Sequence, residues 1–129
     1  MYKPLILVVD DEADILEIIT DKLEKAGFRV EITNEAEHML EKAMALKPDL
    51  ILLDINMPRI SGTEAIIDLK SHPELKKIKV AFLTSLSAPW PGTINEENLA
   101  HELGAVAYLR KDKDLENLGS KLIDILKNS

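Results

Sequence analysis

Two unbroken apolar runs and one strand-like stretch interrupted only by Lys79 each stop at a group able to do chemistry. Leu5–Val9 ends in Asp10, Asp11 and Glu12; Leu50–Leu53 ends in Asp54; Ile78–Leu83 ends in Thr84 and Ser85. An unbroken run of this length reads as a strand buried on both faces, so the polar residue after it sits at the rim of a core. Neighbouring strands lie about 4.8 Å apart, which brings carboxylates leaving the same end of adjacent strands close together. Two such charges about 4 Å apart repel by roughly 4 kcal/mol at an effective dielectric near 20. A hard divalent cation offsets that repulsion best. Mg²⁺ takes one or two carboxylates and retains waters, and the chain has no Cys and no suitably placed His to favour a softer metal. With the cation present, a phosphoryl donor can be held against Asp54 and transferred to it in line. Thr84 and Lys111, at the ends of the fourth and fifth strands, can bind the phosphoryl oxygens.

The elements that must position these groups alternate along the chain. After Asp11, the residues Ile15, Leu16, Ile18, Ile19 and Leu23 recur at helical spacing, and Gly27 terminates that helix. Residues 28–32 (FRVEI) alternate like a strand near a sheet edge. Asn34 is placed to cap a second helix, carrying Met39, Leu40, Ala43 and Leu46 and closed by Pro48. A third helix holds Ala65, Ile66, Ile67 and Leu69 and stops before Pro73. Residues 85–98, with Pro89, Pro91 and Gly92, form the one long loop. A short helix over Glu96–Leu103, a strand over Ala105–Leu109 and a last helix from about Asp114 to Lys127 complete the series. Five strands alternating with five helices predict an α/β fold: a flavodoxin-like, doubly wound, five-stranded parallel sheet in order 2-1-3-4-5. Its switch point lies between strands 1 and 3, which brings Asp10, Asp11 and Asp54 together.

Composition narrows the class of protein. The 129 residues are expected to form one domain spanning 1–129, and 46% hydrophobic with 30% charged residues describes an ordinary soluble chain. A formal charge of −7 argues against direct nucleic-acid binding. No apolar run reaches the ~18 residues of a membrane span, and the absence of Cys suits the cytoplasm.

Taken singly, each residue has a plainer reading. Asp11 serves equally well as the N-cap of the first helix. Thr84 alone is an ordinary strand-end hydroxyl, and Lys111 beside Lys113 an ordinary solvated charge. His38, His72 and His101 are scattered surface residues, and Trp90 is a packing anchor of its loop.

Taken together, VVDDE (8–12), LLDINMPRISG (52–62), FLTS (82–85) and GAVAYLRK (104–111) resemble the receiver domain of two-component response regulators. The resemblance implies a cytoplasmic phospho-accepting switch, not an enzyme in the ordinary sense. Asp54 takes a phosphoryl group from a histidine kinase or phosphotransfer protein, assisted by Lys111 and Thr84. Mg²⁺, or Mn²⁺ in its place, is bound by Asp11, Asp54 and the backbone carbonyl of Asn56, with Asp10 contributing through water. Thr84 and Tyr108 act as switch residues, moving together to alter the surface of helix 4, strand 5 and helix 5 for a downstream protein. A monomer or a weak phosphorylation-dependent dimer is expected.

Two departures from the family pattern stand out. Asp112 follows Lys111 where receivers usually have a cis proline, and a cis bond to a non-proline costs about 2.5–4 kcal/mol. The 27 positions separating Thr84 from Lys111 exceed the family's usual spacing. The last helix runs almost to Ser129, so a stand-alone receiver is expected. Two other functions compete with it. A degenerate receiver would only dock partners, and an aspartyl-phosphate hydrolase of the haloacid-dehalogenase type would need Asp, not Asn, at position 56.

Overall fold

The computed structural model describes residues 3–55, 62–84 and 96–127. Five parallel strands form its centre: β1 (Leu5–Val9), β2 (Arg29–Thr33), β3 (Leu50–Asp54), β4 (Lys79–Thr84) and β5 (Ala107–Arg110). They lie in the order β2-β1-β3-β4-β5, as the alternation predicts. The helices are α1 (Ala13–Lys25), α2 (Met39–Leu46), α3 (Gly62–Lys70), α4 (Glu96–Glu102) and α5 (Leu118–Lys127).

Because successive strand residues point to opposite faces, the apolar runs of β1 and β3 feed two cores at once. Leu7, Val9, Ile51, Leu53 and Phe82 meet Met39, Ala43, Ile66, Leu69 and Ala100 on one face. Ile6, Val8, Leu50, Leu52 and Leu83 meet Leu16, Ile19, Leu23, Leu118 and Leu122 on the other. Both faces are therefore covered by helices, and β1 and β3 are buried along their whole length. β2, where the sequence alternates, is an edge strand. Among the described residues, no helix is long and apolar enough to cross a membrane.

Several element ends differ from the sequence-based expectation. Gly27, at φ +98°, does follow the C-terminus of α1 in the left-handed region. Asn34 does not cap α2. The Thr33 hydroxyl instead bonds the backbone of Glu35, a 3₁₀ turn covers Ala36–His38, and α2 begins after His38 with no side-chain cap. The last helix starts at Leu118, not near Asp114. Asp114 is buried at the close of a turn, where its Oδ2 accepts the Arg110 N–H at 2.7 Å and its own N–H donates to the Arg110 carbonyl at 2.8 Å. The long loop with Trp90, and the Asn56–Ser61 turn, lie outside the described residues.

Candidate functional site

The site forms where β1 and β3 end side by side. Val9 pairs with Leu53, so Asp10 and Asp54 emerge next to each other. Both are buried, at 1% and 2% exposure. The Asp10 N–H donates to the Thr33 carbonyl at 3.2 Å, which ties the exit of β1 to β2. Asp10 Oδ1 accepts the N–H of Glu12 at 2.9 Å and so fixes the turn into α1. Glu12, not Asp11, occupies the N-cap position, and it makes no side-chain cap.

Lys111 crosses to these carboxylates from the end of β5. Its N–H donates to the Thr84 carbonyl at 2.7 Å, which anchors its backbone to the neighbouring strand. Its ammonium lies 2.7 Å from Asp10 Oδ2, 2.8 Å from Glu12 Oε1 and 3.5 Å from Asp54 Oδ2. The Lys111 side chain is 8% exposed. Burial alone would lower its pKa, but contact with Asp10 and Glu12 and the charges of Asp54 and Asp10 outweigh it. The ammonium is held above the usual lysine value and stays charged. For Asp10 the balance is reversed: burial raises its pKa above the ordinary 3.8, against the opposing effects of Lys111 and the Glu12 N–H.

One carboxylate oxygen from each of Asp10, Glu12 and Asp54 lies within 4.8 Å of the other two. At that spacing each pair of charges repels by about 3 kcal/mol at an effective dielectric near 20. A single ammonium among three carboxylates leaves the group net negative. Asp10 Oδ2 is fully buried and faces the Lys111 ammonium at 2.7 Å. A buried oxygen with spare capacity, in a cluster of hard anionic donors, fits a hard divalent cation such as Mg²⁺.

The other expected residues fall at different distances from this centre. Thr84 is buried at the end of β4, beside Arg110 of β5 in the pairing. Tyr108 is half-buried against the core face that contains Phe82. The Asp11 side chain is exposed and lines a groove between α1 and the end of β2; it is not one of the three clustered carboxylates. Asn56 lies outside the described residues. The Lys111–Asp112 peptide bond is trans.

The family model for the response regulator receiver domain matches residues 6–123. The chain belongs to the response regulator receiver family. This receiver is 36% identical over 95% of its length to a probable cyclic di-GMP phosphodiesterase of Vibrio cholerae. It is 32% identical over 96% to the alkaline phosphatase synthesis transcriptional regulatory protein PhoP of Bacillus subtilis. It spans 26% and 49% of the lengths of those two proteins. Its fold is similar to the chemotaxis response regulator CheY4 of Vibrio cholerae, with TM-score 0.82, 26% identity and coverage of 96% of this chain and 99% of that one. It is also similar to the BeF3-activated N-terminal receiver domain of Klebsiella pneumoniae RstA, with TM-score 0.80, 27% identity and coverage of 95% and 97%.

Two residues tied to Lys111 and its turn carry no mark in the sequence pattern. In the sequence Glu12 is only part of the acidic end of β1, and nothing at the level of spacing shows that its side chain meets Lys111, 99 positions further along the chain. The sequence pattern places Asp114 at the start of a helix, which the structure begins at Leu118. The burial of Asp114 follows from the turn that carries Lys111, and that turn has no pattern of apolar residues to announce it.

Proposed function

We propose that this receiver accepts a phosphoryl group on Asp54 from a histidine kinase or phosphotransfer protein and so switches a surface read by a protein partner. The observation that carries the reading is the placement of Lys111: one buried ammonium lies 2.7 Å from Asp10 and 3.5 Å from Asp54. Asp54 is thus a buried strand-end carboxylate with a fixed positive charge beside it, which suits an attacking oxygen and the phosphoryl group it receives.

Asp54 and Asp11, with the Asn56 carbonyl, would hold Mg²⁺ (or Mn²⁺), and Asp10 would contribute through water. Bound there, the cation would draw charge from the phosphoryl oxygens. An Asp54 oxygen forms the new bond to phosphorus as the donor's P–N bond breaks, and the released imidazole takes a proton from solvent. Lys111 holds one phosphoryl oxygen and the Thr84 hydroxyl another. The aspartyl phosphate then biases a two-state surface of α4, β5 and α5, with Tyr108 turning inward as Thr84 moves. In this reading residues 1–129 work as one regulatory unit, a monomer or weak phosphorylation-dependent dimer in the cytoplasm. The unit aids its own phosphorylation and dephosphorylation without turning over a separate substrate.

Incubation with Mg²⁺ and acetyl phosphate, followed by intact mass measurement, tests this directly. One phosphoryl adduct is expected on the wild type and none on Asp54→Asn. An unmodified wild type would favour a receiver that only docks partners.

A further inference from the structure

Among the described residues, the Glu12 carboxylate is the one group at the site that is both engaged and free to leave. Its backbone is fixed on two sides: its N–H donates to Asp10 Oδ1 at 2.9 Å, and its carbonyl accepts the Leu16 N–H at 3.0 Å in the first turn of α1. Its side chain is 56% exposed, yet its Oε1 accepts a hydrogen bond from Lys111 Nζ at 2.8 Å. Asp10 and Asp54, by contrast, are locked in the core at strand ends. An ammonium has three N–H donors, and their direction is set by the acceptors around it. With Asp10 at 2.7 Å and Glu12 at 2.8 Å, the Asp54 oxygen is left at 3.5 Å. The carboxylate on the long, solvated stem therefore occupies part of the Lys111 donor capacity that an anion on Asp54 would need.

We infer that Glu12 is a positioning residue that acts as a built-in competitor: its carboxylate holds Lys111 in the unmodified protein and must release it when a phosphoryl group arrives on Asp54. This rests on Asp54 being the phosphoacceptor and adds a residue that sets how readily the modified state forms. Two features make Glu12 suited to the role. Glu12 is the solvated end of the pair, 56% exposed against 8% for Lys111, so its carboxylate regains water when it leaves. The side chain also keeps a full negative charge close to the incoming anion, so its departure removes repulsion as well as competition.

The test compares wild type with Glu12→Gln and Glu12→Asp. Binding of beryllium trifluoride is measured by calorimetry in saturating Mg²⁺, and acetyl phosphate labelling of Asp54 is followed by intact mass. Glu12→Gln removes the charge, and Glu12→Asp keeps it on a stem one methylene too short for the same contact. Both variants are expected to bind beryllium trifluoride roughly two- to five-fold more tightly than wild type, the range that loss of one ion pair with a solvated partner allows. Both should also label faster. Equal binding by all three proteins overturns the inference. Weaker binding by the variants overturns it too, assigning Glu12 to the cation instead. Tighter binding by Glu12→Gln alone overturns it in favour of a general charge effect. A wild type that neither labels nor binds beryllium trifluoride refutes the phosphoacceptor reading itself, and this inference with it, a result distinct from three proteins that bind alike.

Discussion

Arg110 grips Asp112 with two parallel contacts, Nε to Oδ1 at 3.0 Å and the second guanidinium nitrogen to Oδ2 at 3.2 Å, with Lys111 between them in sequence. The fork stands on the outside of the β5 exit while the Lys111 side chain runs inward to Asp10. Asp112 thus occupies the place where the family usually has a proline, in an ordinary trans backbone, with a side-chain staple at that point of the turn.

The fork is about one-third exposed on both sides, so its contribution is modest. Asp112→Ala is expected to lower stability by less than about 1 kcal/mol in urea melts. Lys111 keeps its anchor on Thr84 and its ion pair with Asp10, so the rate of acetyl phosphate labelling should change by less than about two-fold, a small effect on the scale where about 1.4 kcal/mol is tenfold. A tenfold loss of labelling with unchanged stability would show that the fork itself aims Lys111.

Asp114 carries more of the turn. Burial alone would raise its pKa, but the Arg110 N–H and the Lys121 ammonium, at 3.2 Å, prevail and hold it below the ordinary 3.8. Its stabilising effect is therefore complete above pH 3.8 and fades as pH falls through the lower folded value. Asp114→Ala, which also strips the Arg110 N–H of its acceptor, should cost about 1–3 kcal/mol at pH 7. Urea midpoints of wild type and Asp114→Asn, measured from pH 7 to 3, should differ by a constant amount down to about pH 4 and then converge. A gap that widens with acid would contradict the assignment.

Asp10 has the opposite sign. Its folded pKa lies above 3.8, so its ionised form weighs against the fold at neutral pH; its favourable contribution exists only in acid and is lost as pH rises through the folded value. Without divalent cations, Asp10→Asn is expected to raise stability by about 1 kcal/mol, because Lys111 keeps Glu12 and Asp54 as partners and one buried charge is gone. Adding Mg²⁺ should stabilise wild type in thermal melts by the mass-action increment of a ligand that binds only the folded state, and Asp10→Asn by less. A variant less stable than wild type in chelator would show that the Asp10–Lys111 pair outweighs its burial.

Much of this protein was legible from one dimension. Unbroken apolar runs of four or five residues ending in polar groups, alternating with helical patterns, point to strands of a sheet covered by helices on both sides. β1, β3 and their order in the sheet follow from that pattern, as does the meeting of Asp10 with Asp54 at the switch point. Gly27 likewise announces the end of α1, since its positive φ suits a residue without a Cβ.

What the tertiary structure decided is where side chains go after the periodic elements end. Asp10, Asp11 and Glu12 are consecutive and chemically alike, yet the strand-to-helix turn sends the first into the core, the second to a surface groove and the third to Lys111. At such a junction neither the two-residue nor the 3.6-residue period applies, so composition says nothing about direction. The same holds for the turn over residues 111–117, where Arg110, Asp112, Asp114 and Lys121 satisfy one another and delay α5 to Leu118. Those choices depend on partners that only the folded chain brings within reach, and they set how Lys111 is shared among the carboxylates around Asp54.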